Sequence, residues 1–400
     1  MPRFLHTADW QIGRQFATLS PENAPILADA RIDVVQRLAQ LATLQGVDAV
    51  LVAGDVFDAQ TVSERTIRRL FNALAGFPGP WLLLPGNHDA ALAESVWTRA
   101  QRLGAVPPNA HLLLAPDVQV FEAQGFAVLP APLTQRHTHN DLTDWFDSAA
   151  TPAGLLRIAL AHGSVQGILA DSIDATNPIA PDRATRARLD YLALGDWHGM
   201  KRIDVRTWYA GTPEPDRFRD NAPGQALVVD IAAPGAEPQV QPVTVGQFRW
   251  RQIDAALQVP SDLDAVLQQL AGVAAQDVVD LRLHGALDLA AHAQLAAAIG
   301  EAEGRARHLQ ADLAGLQLVP TDADIAGLQA DGYLGDVIAE LRLESAGSTD
   351  DARTAQDALA LLTATLAQRG ANMAPTRIAS RIAAPQAGAA MPSGGRAALP

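Results

Sequence analysis

The sequence contains no cysteine, which excludes disulfide bonds and thiolate metal sites. Any bound metal must therefore be held by oxygen and nitrogen ligands. Aromatic residues make up only 5% of the chain, and no hydrophobic run approaches the roughly 20 residues that a membrane-spanning helix needs. Because a strand-like stretch begins almost at the first residue, we expect no targeting segment, no membrane association and a cytoplasmic location.

Positive charge is also scarce. The chain has 30 Lys and Arg residues against 44 Asp and Glu residues, which gives a formal net charge of −14. A protein that binds nucleic acid over its whole surface is normally basic. If the substrate is a polyanion, bound cations and local arginine clusters must attract it.

The first part of the chain alternates buried strands with amphipathic helices. Apolar runs at 3–8, 48–53 and 81–84 predict strands, and the segments between them have helical spacing. Strands separated by helices indicate parallel pairing. We therefore predict an α/β fold, a layered β-sandwich flanked by helices, followed by a smaller α/β capping domain.

Composition suggests where the domains end. A stretch at 232–245 is rich in Pro and Gly and predicts a boundary, so we place one domain at 1–240 and the capping domain at 246–345. An amphipathic helix is expected at 346–369, with a leucine stripe that fits either this chain or a partner helix. Ala, Pro, Gly and Ser dominate 370–400, for which we expect disorder.

Five predicted strands end in residues that can bind metals. The motifs are D-x-Q at 9–11, G-D-x-x-D at 54–58, G-N-H-D at 86–89, H-G at 162–163 and G-D-x-H at 195–198. The carboxyl ends of parallel strands meet at one edge of a sheet, where such folds place their sites. Two-metal hydrolysis needs a carboxylate that bridges two ions about 3.5–4 Å apart, and oxygen and imidazole ligands suit manganese, iron or zinc. Each motif alone has an ordinary explanation as a cap or a turn, but together they predict a two-metal centre.

The order of these motifs resembles the calcineurin-like metallophosphoesterase superfamily and, within it, the SbcD-type DNA repair nucleases. The resemblance covers residues 1–220 and extends more loosely to the capping domain. It implies that two metals share the bridging carboxylate of Asp55, that His88 acts as general acid and that Asp58 orients His88. The other implied ligands are Asp9, Gln11 and His198 for the first metal, and Asn87, His162 and Asp196 for the second.

Two positions depart from the family pattern, since family nucleases mostly have His where this chain has Gln11 and Asp196. A neutral amide is a weaker ligand than imidazole, so the first metal should be held less tightly. The aspartate adds negative charge at the second metal, which strengthens its hold and makes it a poorer Lewis acid. The two changes together suggest a retuned site.

The resemblance implies two divalent ions, which we expect to be manganese. A hydroxide that bridges them would attack phosphorus in line, and His88 would protonate the leaving group. The predicted function is a DNA exonuclease or endonuclease in DNA repair, acting with an SbcC-type ATPase partner; a homodimer is implied by resemblance alone. Candidate contacts to DNA are the basic residues Arg14, Arg183, Arg186, Arg188, Lys201 and Arg202.

Two alternative functions stay open. One is a phosphodiesterase or phosphatase that acts on small nucleotides, which the acidic surface favours and the extra domain disfavours. The other is a non-catalytic subunit that recruits an ATPase and has lost hydrolysis through the changes at positions 11 and 196.

Overall fold

The computed structural model describes residues 2–168, 176–219, 221–327, 332–347 and 349–373, so most of the predicted tail lies outside the described residues. The strands are β1 (Arg3–Thr7), β2 (Ala49–Val52), β3 (Trp81–Leu83), β4 (Ala110–Leu112), β5 (Gln119–Phe121), β6 (Phe126–Ala131), β7 (Leu156–His162), β8 (Ser164–Val165), β9 (Pro178–Ile179), β10 (Tyr191–Gly195), β11 (Lys201–Arg202), β12 (Thr207–Tyr209), β13 (Gln225–Asp230), β14 (Gln239–Thr244), β15 (Arg249–Leu257), β16 (Asp277–Leu287) and β17 (His308–Leu318). The helices are α1 (Ala24–Gln45), α2 (Glu64–Ala73), α3 (Val96–Arg102), α4 (Arg183–Arg186), α5 (Pro260–Ala271), α6 (Leu289–Arg305), α7 (Asp322–Gly327), α8 (Tyr333–Glu344) and α9 (Asp350–Met373).

The first sheet has the strand order β14-β13-β1-β2-β3-β4. Strands β1 to β4 are parallel, and β13 and β14 add an antiparallel edge. Helix α1 begins at Ala24, and Gly46 ends it with a left-handed φ of 59°. Leu38 and Val35 of α1 pack with Val50 on one face of this sheet.

The second sheet has the strand order β11-β12-β10-β7-β6-β5 and packs on the other face of the first. Phe4 and Leu82 of the first sheet share a fully buried cluster with Ile158 and Leu160 of the second, and Phe4 meets Phe126 edge to face at 5.0 Å. A third cluster covers the outer face of the second sheet. This arrangement of two sheets between helical layers confirms the predicted layered α/β fold.

The segment at 232–245 is not the linker that its composition predicts, because it contains the edge strand β14. Residues Gln239–Thr244 pair with β13 over their whole length. Pro242 is tolerated there because an edge strand needs ladder hydrogen bonds on one side only. Val245, at the end of this segment, is buried in the core of the first sheet.

The chain divides into two compact units, Met1–Gly285 with Leu295–Leu316 and Ala286–Gln294 with Gln317–Pro400. The first unit includes most of the three-stranded sheet β15-β16-β17, and within this unit Trp250 packs against the rings of Phe16 and Phe218. The domain boundaries expected from the sequence remain predictions.

In the second unit α9 packs against α8. Ala355 and Leu359, two residues of the apolar stripe on α9, are buried, which shows that part of this stripe is used within the chain. None of the helices in the described part of the chain has the length and hydropathy to cross a membrane.

Candidate metal centre

The predicted metal ligands come from the ends of strands in both sheets. Asp9 and Asp55 follow β1 and β2, while His162 ends β7 and Asp196 follows β10. Two hydrogen bonds join the sheets at this edge: the main-chain N–H of Asp196 donates to the Asp9 carboxylate at 3.1 Å, and His162 Nδ1 lies 2.9 Å from the carbonyl oxygen of Ala53. The packing of the sheets therefore assembles a single site.

Three of these residues form a compact cluster of ligand atoms. Asp9, Asp55 and His162 each offer one atom, and these atoms all lie within 4.8 Å of one another. His162 Nε2 is 3.5 Å from Asp55 Oδ1 and 3.7 Å from Asp196 Oδ1. All three side chains of the cluster are buried.

Unpaired buried atoms show that this donor set fits a metal. Gln11 Oε1, Asn87 Oδ1 and His162 Nε2 are buried and have no hydrogen-bond partner among the described residues. Buried polar atoms are rarely left without partners unless a ligand or ion satisfies them. Carboxylate and amide oxygens with an imidazole nitrogen suit a divalent transition metal.

The backbone is strained at the same residues. Asp9, Gln11, Asp55 and Asp196 have φ values of 54°, 50°, 54° and 99°, in the left-handed region that residues with a side chain rarely adopt. Such conformations typically cost about 1–3 kcal/mol each and cluster at functional sites. Because four of the predicted ligands have a strained backbone, the strain supports a functional site at these turns.

Burial and the neighbouring charges shift the pKa values in the cluster. Burial raises the pKa of Asp9 to about 6, against the opposing effect of the nearby histidines. For His162 burial alone would lower the pKa, but the carboxylates of Asp55, Asp9 and Asp196 outweigh it and raise the pKa to about 9. Burial also raises the pKa of Asp196. The site therefore concentrates negative charge that a cation would neutralise.

His88 lies at the edge of this cluster, with 30% of its side chain exposed and Nε2 4.0 Å from Asp55 Oδ2. Its Nδ1 is 2.8 Å from the main-chain carbonyl oxygen of Asp58. That carbonyl fixes the ring and leaves Nε2 directed toward the site. The family resemblance implies that Asp58 orients His88, and the contact is made by the Asp58 backbone, while its carboxylate pairs with Arg14 at 3.3 Å.

His198 is not part of the compact cluster. Its Nδ1 lies 3.4 Å from Asp216 Oδ1 and 3.0 Å from Arg217 Nη2. Asp216 is almost fully buried and also lies 3.4 Å from the Nε atom of Arg14. Although burial opposes ionisation, the contacts with His198 and the nearby arginines lower the pKa of Asp216 well below its usual range. A charged network thus surrounds this predicted ligand.

Sequence reasoning missed several residues that shape the site. Asp89 accepts hydrogen bonds from the main-chain N–H groups of Gly86 (2.6 Å) and Phe57 (3.0 Å), so it joins two ligand-bearing loops. Arg31 is fully buried and donates to the carbonyl oxygens of Trp10 and Asp9. Because Asp89 belongs to the G-N-H-D motif, its role in the site could have been predicted from the sequence. No local sequence pattern indicates the role of Arg31.

The predicted DNA contacts differ in their surroundings. The prediction that Arg183 contacts a phosphate is wrong, because its side chain is 1% exposed and pairs with Asp141, Asp144 and Asp147. The remaining basic candidates are at least partly exposed: Arg14, Arg186, Arg188, Lys201 and Arg202.

Comparison with known proteins identifies the class. The family model described as calcineurin-like phosphoesterase matches residues 2–221, so the chain belongs to the calcineurin-like phosphoesterase family. This confirms the predicted family, and family membership together with the Asp9, Asp55 and His162 cluster supports a site for divalent metals.

Individual relatives are named as nucleases or repair proteins. The chain is 43% identical to the SbcD subunit of the nuclease SbcCD from Rhodobacter capsulatus over 288 residues, which cover 60% of this chain and 69% of that protein. It is 24% identical to the SbcD subunit of the same nuclease from Bacillus subtilis, over 66% of this chain and 75% of the relative. The DNA double-strand break repair protein Mre11 of Aeropyrum pernix is 28% identical, over 61% of each protein.

Proposed function

We propose that this chain is the nuclease subunit of an SbcCD-like complex, a two-metal phosphodiesterase that cleaves DNA in repair together with an SbcC-type ATPase in the cytoplasm. The observation that carries the proposal is the buried cluster of Asp9, Asp55 and His162, flanked by the unpaired atoms of Gln11 and Asn87. The relatives named as SbcCD nuclease and as DNA break repair protein support the substrate and the partner.

The candidate ligands would hold two ions as predicted, with Asp55 shared between them. The ions, which we propose to be manganese, would lower the pKa of water toward neutrality and neutralise charge on the phosphoryl oxygens. His88 would protonate the leaving oxygen, and the contact of Nδ1 with the carbonyl oxygen of Asp58 supports this role because it leaves Nε2 facing the site. The main-chain N–H of His88 donates to Asp55 Oδ1 at 2.9 Å and so fixes the carboxylate beside the acid.

A phosphodiesterase for small nucleotides is the second candidate, favoured by the net charge of −14 and by the burial of Arg183. The test is to incubate the protein with manganese and end-labelled duplex or single-stranded DNA, beside bis-p-nitrophenyl phosphate, with Asp55→Asn as control. Degradation of DNA that Asp55→Asn abolishes supports the nuclease. Cleavage of the small ester alone supports the second candidate, and no turnover with any metal leaves a non-catalytic subunit.

A further inference from the structure

Arg217 occupies a position that the predicted mechanism does not use. Its Nη2 lies 3.0 Å from Nδ1 and 3.4 Å from Nε2 of His198, and 39% of its side chain is exposed. The guanidinium is therefore partly exposed and lies beside a predicted ligand of the candidate metal centre.

A buried carboxylate holds this guanidinium in place. Arg217 Nε donates to Asp216 Oδ1 at 3.0 Å, and Nη2 donates to Asp216 Oδ2 at 3.2 Å. Such two-point contacts fix the plane of an arginine and reduce the entropy lost when it binds a further anion. Nη1 makes no hydrogen bond with any described residue, so one edge of the group is available to a ligand.

The other two arginines near Asp216 already interact with carbonyl or carboxylate oxygens of the protein. Arg31 is fully buried and donates through Nε, Nη1 and Nη2 to main-chain carbonyl oxygens. Arg14 is 27% exposed and lies between the carboxylates of Asp58 and Asp216. Arg217 is the most exposed of the three and contacts a single carboxylate.

We propose that Arg217 is a substrate-binding residue that donates from its guanidinium to a non-bridging oxygen of the scissile phosphate. The proposal rests on the proposed function and adds a cationic side chain that this acidic site presents to an anionic substrate. Asp216 then acts as the positioning residue for both Arg217 and His198.

The test compares Arg217→Ala and Arg217→Lys with Arg219→Ala, which removes an exposed arginine from the same loop. We expect Arg217→Ala to lower kcat/KM for bis-p-nitrophenyl phosphate by roughly 10²–10³-fold, the usual effect of losing one preorganised donor. Affinity of the manganese-loaded protein for inorganic phosphate, measured by calorimetry, should fall by at least about tenfold, by analogy with one charge-assisted hydrogen bond. Manganese content should not change, and added guanidinium should restore part of the activity of Arg217→Ala.

Three results would overturn the assignment. They are equal phosphate affinity in Arg217→Ala and the wild type, no phosphate binding by the wild type, and loss of manganese from Arg217→Ala without rescue by guanidinium. The last would show that Arg217 only supports His198. A wild type that binds phosphate through Arg217 but cleaves neither ester would refute the proposed function and leave Arg217 as a phosphate-binding residue.

Discussion

Gln11 donates a hydrogen bond from Nε2 to Asp55 Oδ2 at 2.7 Å, so a predicted ligand of the first metal is in direct contact with the predicted bridging carboxylate. The same amide keeps Oε1 buried and without a partner in the described part of the chain. We therefore predict that Gln11 combines the role of a weak ligand with that of an orienting donor.

We predict that Gln11→Ala weakens manganese binding by about 10–100-fold, the usual effect of removing a partner that orients a ligand. Gln11→His should strengthen binding, because imidazole is the better ligand. Isothermal titration calorimetry measures both changes. Gln15→Ala, which removes an exposed glutamine four residues away, is the control and should bind as the wild type does. Unchanged affinity in Gln11→Ala would show that neither role exists.

His88→Ala should separate metal binding from turnover. The side chain is partly exposed and contacts the site through Nε2 only, so the ligand cluster should keep its metal. Loss of a general acid typically lowers the rate by roughly 10²–10⁴-fold. Metal content by mass spectrometry and kcat on bis-p-nitrophenyl phosphate test the two parts, with His137→Ala on an exposed loop as control. Wild-type turnover in His88→Ala would refute the assignment of the acid.

Metal binding should release a proton near neutral pH. The pKa of His162 is raised to about 9 and that of Asp9 to about 6, so between these values His162 carries a proton that a metal must displace. Manganese affinity should therefore rise about tenfold per pH unit between pH 6 and 8. Calorimetry in buffers of different ionisation enthalpy counts the protons released. In His162→Gln the slope should be lost, and a pH-independent affinity in the wild type would contradict the shift.

Much of the fold and the cluster was predictable because each signal is local. A buried strand is visible in the sequence as an apolar run, and the Asp, Asn, Gln and His residues that follow these runs are recognisable as possible metal ligands. Asp9 and Asp55, from different strands, meet because parallel strands share an edge. His162 lies on the second sheet and reaches the cluster because the two sheets pack together. The family resemblance, which the comparisons confirm, implied that His162 is a ligand.

Other features depend on contacts that no local pattern records. Strand β14 was missed because an edge strand tolerates Pro242 and keeps most of its side chains exposed. The contact between His198 and Asp216 joins residues 18 positions apart that lie in two different loops, so no single helix or strand carries both. Arg183 looked like a surface cation because sequence gives the charge of a residue on a short helix but not the side on which it faces.

Arg183 should be a structural residue, and its removal should affect stability, not DNA binding. Its side chain is 1% exposed, and Arg183→Ala would leave the partly buried carboxylate of Asp141 without its arginine partner and Asp147 with Arg186 alone. Breaking a buried pair costs about 3–5 kcal/mol, and partial exposure of the aspartates places the expected loss toward the lower end. Arg186→Ala, at 49% exposure, should cost no more than about 1 kcal/mol. Urea unfolding gives both values. An Arg183→Ala variant with normal stability and weaker DNA binding would restore the original prediction.

Gly86→Ala should empty the metal centre while the fold persists. A Cβ atom at residue 86 would lie 2.2 Å from Asp55 Oδ1 and 2.4 Å from its main-chain nitrogen, closer than any real Cβ contact. Because the main chain of Asp55 cannot yield as a flexible side chain would, the carboxylate must move away from Asp9 and His162. Overpacking of this kind typically costs about 1–3 kcal/mol, which a domain of this size can survive.

The matched control for this variant is Gly300→Ala in helix α6, where a new Cβ atom meets nothing within 4 Å. That change should be neutral or stabilise the protein by up to about 1 kcal/mol, because alanine favours the helix. Circular dichroism and manganese content together decide the outcome. Loss of metal in Gly86→Ala alone, with both variants folded, would establish that the close approach of the G-N-H-D loop to Asp55 builds the site; a full complement of metal in Gly86→Ala would rule this out.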